Sequence, residues 1–177
     1  MTAMPKTASQ PTASHTTRTR TVAAFGVAVD VPTAWECRIL RRSKNAENAD
    51  TADQTHAVVH LANFPLPEQR DDFGGGVTQA MGASDVFVVL FEYGPESLGK
   101  RLFALAGVPK LSAEMFSPRG LQRPLAGQVG CQRFFTANER PFCLYVVAGG
   151  TAALPELTAQ VNQALAFLEI ARVETPG

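Results

Sequence analysis

The pattern of apolar and polar positions is strongest between Arg140 and Glu169. RPFCLYVVAGG concentrates Phe142, Leu144, Tyr145, Val146 and Val147 in one short run. Its aromatic and β-branched content predicts a strand buried on both faces. Gly149-Gly150 ends the run, because residues without a Cβ turn sharply at little cost. Leu154, Leu157, Val161, Leu165 and Leu168 then recur at intervals of three, four, four and three, which places them on one face of a helix. Thr151 is the expected N-cap, and Pro155 falls in the first turn, where its missing N–H is harmless. A buried strand feeding a one-faced helix implies a sheet with a helix laid on it.

Earlier segments extend the sheet. Val27, Val29 and Val31 alternate, Pro32-Thr33-Ala34 turns the chain, and Trp35, Cys37 and Ile39 resume the period, which predicts a hairpin with Trp35 as a core anchor. Residues 41–55 are polar and aperiodic and read as a surface loop. HAVVHLANF at 56–64 is a third strand, with His56, Val58 and His60 on one side and the two histidines partly exposed. Gly74, Gly75 and Gly76 precede a short helix, VTQAMGA, and DVFVVLFEYG at 85–94 reads as a central strand. PESLGKRLFALAG predicts a helix with Leu98, Leu102 and Leu105 on its apolar face and Gly107 as its stop. Residues 108–127 form a crossing loop held by Leu111, Met115, Phe116 and Leu121. GQVGCQRFFT and ERPFCLYVVAG pair across a turn at Ala137-Asn138-Glu139. Residues 1–21, rich in Thr, Ser, Ala and Pro, cannot bury enough surface to order themselves. The expected organisation is a disordered tail at 1–21, one domain at 22–173 that ends in a short extended segment, and a second tail at 174–177.

The fold class is therefore α+β, an antiparallel sheet with helices packed on it. Val27-Ala28-Val29-Asp30-Val31-Pro32 with Trp35, together with Phe142 to Val147 and the helix ending at Leu168-Glu169-Ile170, resembles the PsbP/Mog1-like group. That group includes photosystem accessory proteins, a Ran-binding nuclear import factor and small bacterial lipoproteins. The resemblance implies an α/β/α sandwich and a non-catalytic accessory or protein-binding role, and it supplies no catalytic residues to carry over.

Composition adds a charge asymmetry. The 177-residue chain has 45% apolar residues and no net formal charge. Residues 43–98 carry net −7, and residues 99–140 carry net +5. Such a bipolar chain suits docking to a partner protein better than binding nucleic acid. Arg133 beside Phe134 and Phe135 is too little for a nucleic-acid groove. Cys37, Cys131 and Cys143 form no disulfide framework, so a reduced cytoplasmic protein is expected; a bridge between Cys131 and Cys143 stays open. The apolar run at 22–29 is too short for a membrane span, and it reads as a strand rather than a signal sequence.

Candidate chemistry is sparse. His56 and His60 would lie about 13 Å apart along a strand at roughly 3.3 Å per residue, so no metal site and no cofactor are expected. Gly74-Gly75-Gly76 resembles an anion cradle but lacks a following lysine, and Asp71-Asp72 would repel phosphate. An enzymatic alternative, a small hydrolase or transferase, would use Cys131 as nucleophile with His60 as base, or the Glu92/Glu96 pair. The preferred reading is a small soluble bacterial accessory module, with self-association left open. Its contact surface would join the 63–76 loop, including Phe73, to Arg119, Arg123, Arg133 and Arg140.

Overall fold

The computed structural model describes residues 18–41 and 56–172. Most of the expected N-terminal tail, nearly all of the 41–55 loop and the end of the chain from residue 173 lie outside the described residues. The elements in chain order are β1 (Thr19–Ala24), β2 (Val27–Pro32), β3 (Glu36–Arg41), β4 (Ala57–Ala62), β5 (Val86–Glu92), β6 (Val129–Ala137), β7 (Arg140–Ala148), α1 (Leu154–Leu165) and β8 (Glu169–Ile170). They form two antiparallel sheets, a small one in the order β1-β2-β8 and a larger one in the order β3-β4-β5-β7-β6. The class is α+β and mostly sheet.

The run that organises the sequence, β7, lies between β5 and β6 and is buried along its whole length. β4 and β5 are also buried on both faces. Alternate residues serve two cores. On one face, Val59, Leu61, Val88, Leu90, Leu144 and Val146 meet Val27, Val29 and Val31 of the small sheet and Leu154, Leu157, Val161 and Leu165 of α1. Each of these helix side chains contributes about 1.5–3 kcal/mol by leaving water. On the other face, Val58, Phe87, Val89, Cys143, Tyr145 and Val147 are covered by Leu66, Val77 and Leu121. That cover consists of irregular chain and short 3-10 turns, so among the described residues the single α-helix lies on one face only.

Several expected local features take a different form. β2 and β3 do not form a hairpin: β2 pairs with β1 and β8, and β3 pairs with β4 in the other sheet. The turn in which Trp35 N–H donates to the Pro32 carbonyl (2.9 Å) directs the chain out of one sheet and into the other. β1 begins inside the stretch expected to be tail. It reaches β2 through Phe25 and Gly26, both at positive φ (52° and 70°), which is the backbone a two-residue hairpin demands. The same geometry recurs at Asn138 and Glu139 between β6 and β7, where the turn was expected.

The helix expected over PESLGKRLFALAG is two 3-10 turns, Pro95–Ser97 and Arg101–Phe103, separated by an extended Leu98 and by Gly99 at φ +75°. Leu102 is consequently 59% exposed, and the inward residue is Phe103. VTQAMGA likewise forms only a 3-10 turn at Thr78–Ala80. α1 starts one turn as expected with Pro155 near its N-terminus, but Ala153 rather than Thr151 caps it, without a side-chain bond. The helix is instead fastened by Asn162, whose amide accepts from Leu111 N–H and donates to the Leu111 carbonyl, both at 2.8 Å.

Candidate functional site

The loop-covered face carries the candidate site, and the site begins at Asp71. Its Oδ1 accepts from the N–H groups of Phe73 (3.1 Å) and Gly75 (2.5 Å), while Gly74 N–H donates to the Asp71 carbonyl at 3.0 Å. Gly74 is required by space, and Gly75 leaves room for the Asp71 carboxylate. A Cβ on Gly74, at φ +82°, would lie 2.1 Å from the Phe87 ring, and one on Gly75 would lie 2.1 Å from Asp71 Oδ2. The glycine run is therefore a cradle for an anion, and Asp71 of the same loop already fills it.

His60 fastens this loop to the sheet. It is fully buried and packs edge-on against Phe87. Arg70 Nε lies 3.0 Å from His60 Nδ1, and because a guanidinium can only donate, Nδ1 is the acceptor. The ring proton then sits on Nε2, which donates to the Asp72 carbonyl at 2.9 Å. Burial lowers the His60 pKa; the Asp72 bond opposes this, and the nearby Arg70 charge adds to it. His60 is thus a neutral structural anchor with both nitrogens engaged, not the partly exposed residue expected from the sequence.

A cleft of about 330 Å³ opens between this loop and the segment at Gln122 and Arg123. Phe91 and Tyr145, from β5 and β7, contribute to its lining. Phe73 stacks on Phe91 with ring centroids 4.6 Å apart. Tyr145 is 2% exposed, its hydroxyl oxygen accepts from Gln122 N–H at 3.1 Å, and burial raises its pKa so that it keeps its proton. His60 and Tyr145 lie on one transverse row of the sheet with Val89 between them, so the loop anchor and the cleft wall are about 10 Å apart at two strand spacings. Arg123 approaches Asp71 at 4.0 Å; both side chains are largely exposed, and such a pair contributes little stability.

The expected contact residues separate into three groups. Phe73 and Arg123 come together in the cleft. Arg119 and Arg133 are exposed but are not part of its lining. Arg140 is no surface residue: it is 3% exposed and forms a two-pronged pair with Glu92, Nε to Oε1 and Nη2 to Oε2, both at 2.7 Å. Glu92 also accepts from Ala57 N–H at 2.8 Å, whereas Glu96 is exposed in the Pro95–Ser97 turn. Glu92 is thus held inside the fold, while Glu96 stands at the surface.

The three thiols are buried and unbridged. Cys131 packs on the α1 side of the sheet, opposite His60, so nucleophile and base do not meet. Cys143 points to the other face, is unbridged, and accepts from Gln132 Nε2 at 3.3 Å. Burial raises the pKa of Cys131, and it pushes Cys37 and Cys143 to about 11. Among the described residues no three His, Cys, Asp or Glu side chains gather as a metal site.

Tyr145, Gln122 and Thr78 were not anticipated as cleft residues. The one available signal was a phenol within an otherwise apolar strand, which needs a polar partner when buried. Comparisons with protein families, with curated proteins and with solved structures gave no match. Among the described residues no helix is long and apolar enough to cross a membrane.

Proposed function

We propose that this chain is a non-catalytic accessory module that docks a partner protein in the cytoplasm, within a PsbP/Mog1-like arrangement of sheet and covering layers. The supporting observation is the cleft itself, which brings the 63–76 loop against the basic segment at Gln122-Arg123. Both charge signs and an aromatic wall meet there; Arg119 is exposed nearby in sequence, whereas Arg133 shares the α1 side of the sheet with Cys131. Exposed charges of this kind govern encounter and partner choice more than final affinity. The reading leaves Arg140 out of the contact surface. In the test, a photo-crosslinking residue replaces Arg123, and a control replaces Gln160 on the exposed side of α1. A discrete adduct from position 123 that is lost on raising the salt, and is absent from position 160, is the expected result. Equal adducts from both positions, or none from either, would refute the docking surface.

A further inference from the structure

Beyond a protein partner, the polar groups of the cleft point to a small molecule. The first observation is Tyr145. Its hydroxyl oxygen accepts from Gln122 N–H, but its own proton has no acceptor among the described residues. A hydroxyl carries one donor, and a buried donor left without an acceptor is unfavourable by about 1–3 kcal/mol. At 2% exposure Tyr145 reaches solvent only where it lines the cleft, so its acceptor is supplied there, by water or by a ligand that displaces it.

The second observation is the placement of charge. Arg123 directly follows the residue that holds the Tyr145 hydroxyl, and its guanidinium makes no hydrogen bond among the described residues. Asp71 stands opposite. Its Oδ1 is held by two N–H groups, while among the described residues Oδ2 has only the 4.0 Å approach of Arg123, longer than a hydrogen bond. One side of the cleft thus offers a hydroxyl donor and a cation, and the other offers a carboxylate oxygen. The third observation is size and wall. About 330 Å³ lies at the small end of the roughly 300–1,000 Å³ typical of ligand pockets, and Phe73 stacked on Phe91 gives it an apolar side.

We propose that the cleft binds a zwitterion of free amino-acid size, its carboxylate on the Tyr145 hydroxyl and Arg123, its ammonium on Asp71 Oδ2, and its side chain against Phe73. A phosphate is disfavoured because the Asp71 carboxylate already takes the N–H groups of Phe73 and Gly75. A simple cation would leave the Tyr145 proton unmet. The inference rests on this cleft being a binding surface and requires no protein partner.

The test uses the full chain labelled with ¹⁵N, titrated to millimolar concentration with L-leucine, L-phenylalanine and L-glutamine. Inorganic phosphate is titrated separately. L-phenylalaninamide lacks the carboxylate, and N-acetyl-L-phenylalanine lacks the ammonium. Saturable shifts at the Gly74, Gly75 and Gln122 amides are expected for at least one amino acid, with affinity about tenfold weaker when either charge is missing, as for loss of one charged hydrogen bond. Tyr145→Phe, which keeps the ring, should weaken binding by about the same factor while its spectrum stays folded. The proposal is overturned by silence from all three amino acids, by amide and acetyl derivatives that bind as tightly as L-phenylalanine itself, or by phosphate shifting those amides instead. Silence with the crosslink at position 123 retained removes only the ligand, whereas loss of both removes the cleft as a binding surface.

Discussion

Replacing Arg140 by Met should be the most damaging single change on this chain outside the apolar core. All five guanidinium N–H donors are engaged. Two reach Glu92, and three reach the carbonyls of Phe25 (3.0 Å), Gly26 (2.8 Å) and Ala171 (3.1 Å). The side chain therefore ties β5 and β7 of the large sheet to the β1–β2 turn and to the end of β8. Methionine keeps most of the apolar stem but strands the Glu92 carboxylate, 3% exposed, with only the Ala57 N–H as partner among the described residues. Breaking a buried pair from one side costs about 3–5 kcal/mol. The carbonyls of Phe25, Gly26 and Ala171 belong to exposed residues and can turn to water, so their loss adds little. The double variant Glu92→Gln with Arg140→Met removes the stranded charge and should regain about 1–3 kcal/mol of that loss. Urea denaturation of the wild type, both single variants and the double variant gives the coupling energy directly. A loss below about 1 kcal/mol for Arg140→Met, or strict additivity across the cycle, would refute the account of the pair as a buried, mutually dependent clamp.

Gly74→Ala should lose about 1–3 kcal/mol through overpacking, because the new Cβ meets the Phe87 ring at 2.1 Å, and a urea midpoint close to wild type would show that the loop is not held as described. The lowered His60 pKa means that the unfolded chain binds a proton more readily than the folded one, so stability is fully present above the ordinary value of 6.5 and falls as pH drops below it. The slope should be at most about 1.4 kcal/mol per pH unit and should flatten in His60→Gln, as followed by denaturation midpoints at successive pH values. The three thiols should react slowly with a maleimide at neutral pH in the folded protein and rapidly in urea; one fast, stoichiometric reaction in the native state would contradict their burial and raised pKa values.

The core was legible in the sequence where apolar period and chain length agree. The runs at Val86–Glu92 and Phe142–Val147, and the helical spacing from Leu154 to Leu165, all appear where the pattern places them. Partnership between strands was not legible. The alternation in Val27–Val31 specifies a buried face, but it says nothing about which strand lies beside it, and only the two positive-φ residues at the β1–β2 turn settle that pairing. The false helix at 95–107 has a related cause. Its leucine spacing is helical, yet Gly99 at φ +75° interrupts the backbone, and Phe103 wins the inward position. Arg140 looked like a surface charge because nothing local shows that Glu92, 48 residues earlier, lies beside it.

The position of the cleft follows from how each face of the large sheet is covered. A helix satisfies its own backbone, so α1 can lie closely on one face with a mostly apolar side, where the one buried hydroxyl, Thr158, donates back to the Leu154 carbonyl. The opposite face is covered by loops, whose N–H and C=O groups need partners from side chains. The sheet and its neighbours provide these one by one: His60 for the Asp72 carbonyl, Tyr145 for Gln122 N–H, and Gln128 for the Thr78 carbonyl. Each is a polar residue in or beside an otherwise buried apolar stretch, and each marks a place where irregular chain is fastened down. Loops held at discrete points leave gaps between the points, and the cleft is the gap between the His60 and Tyr145 attachments. A single polar side chain within a buried run is therefore a sequence signal for the neighbourhood of a site, even when that side chain performs no chemistry itself.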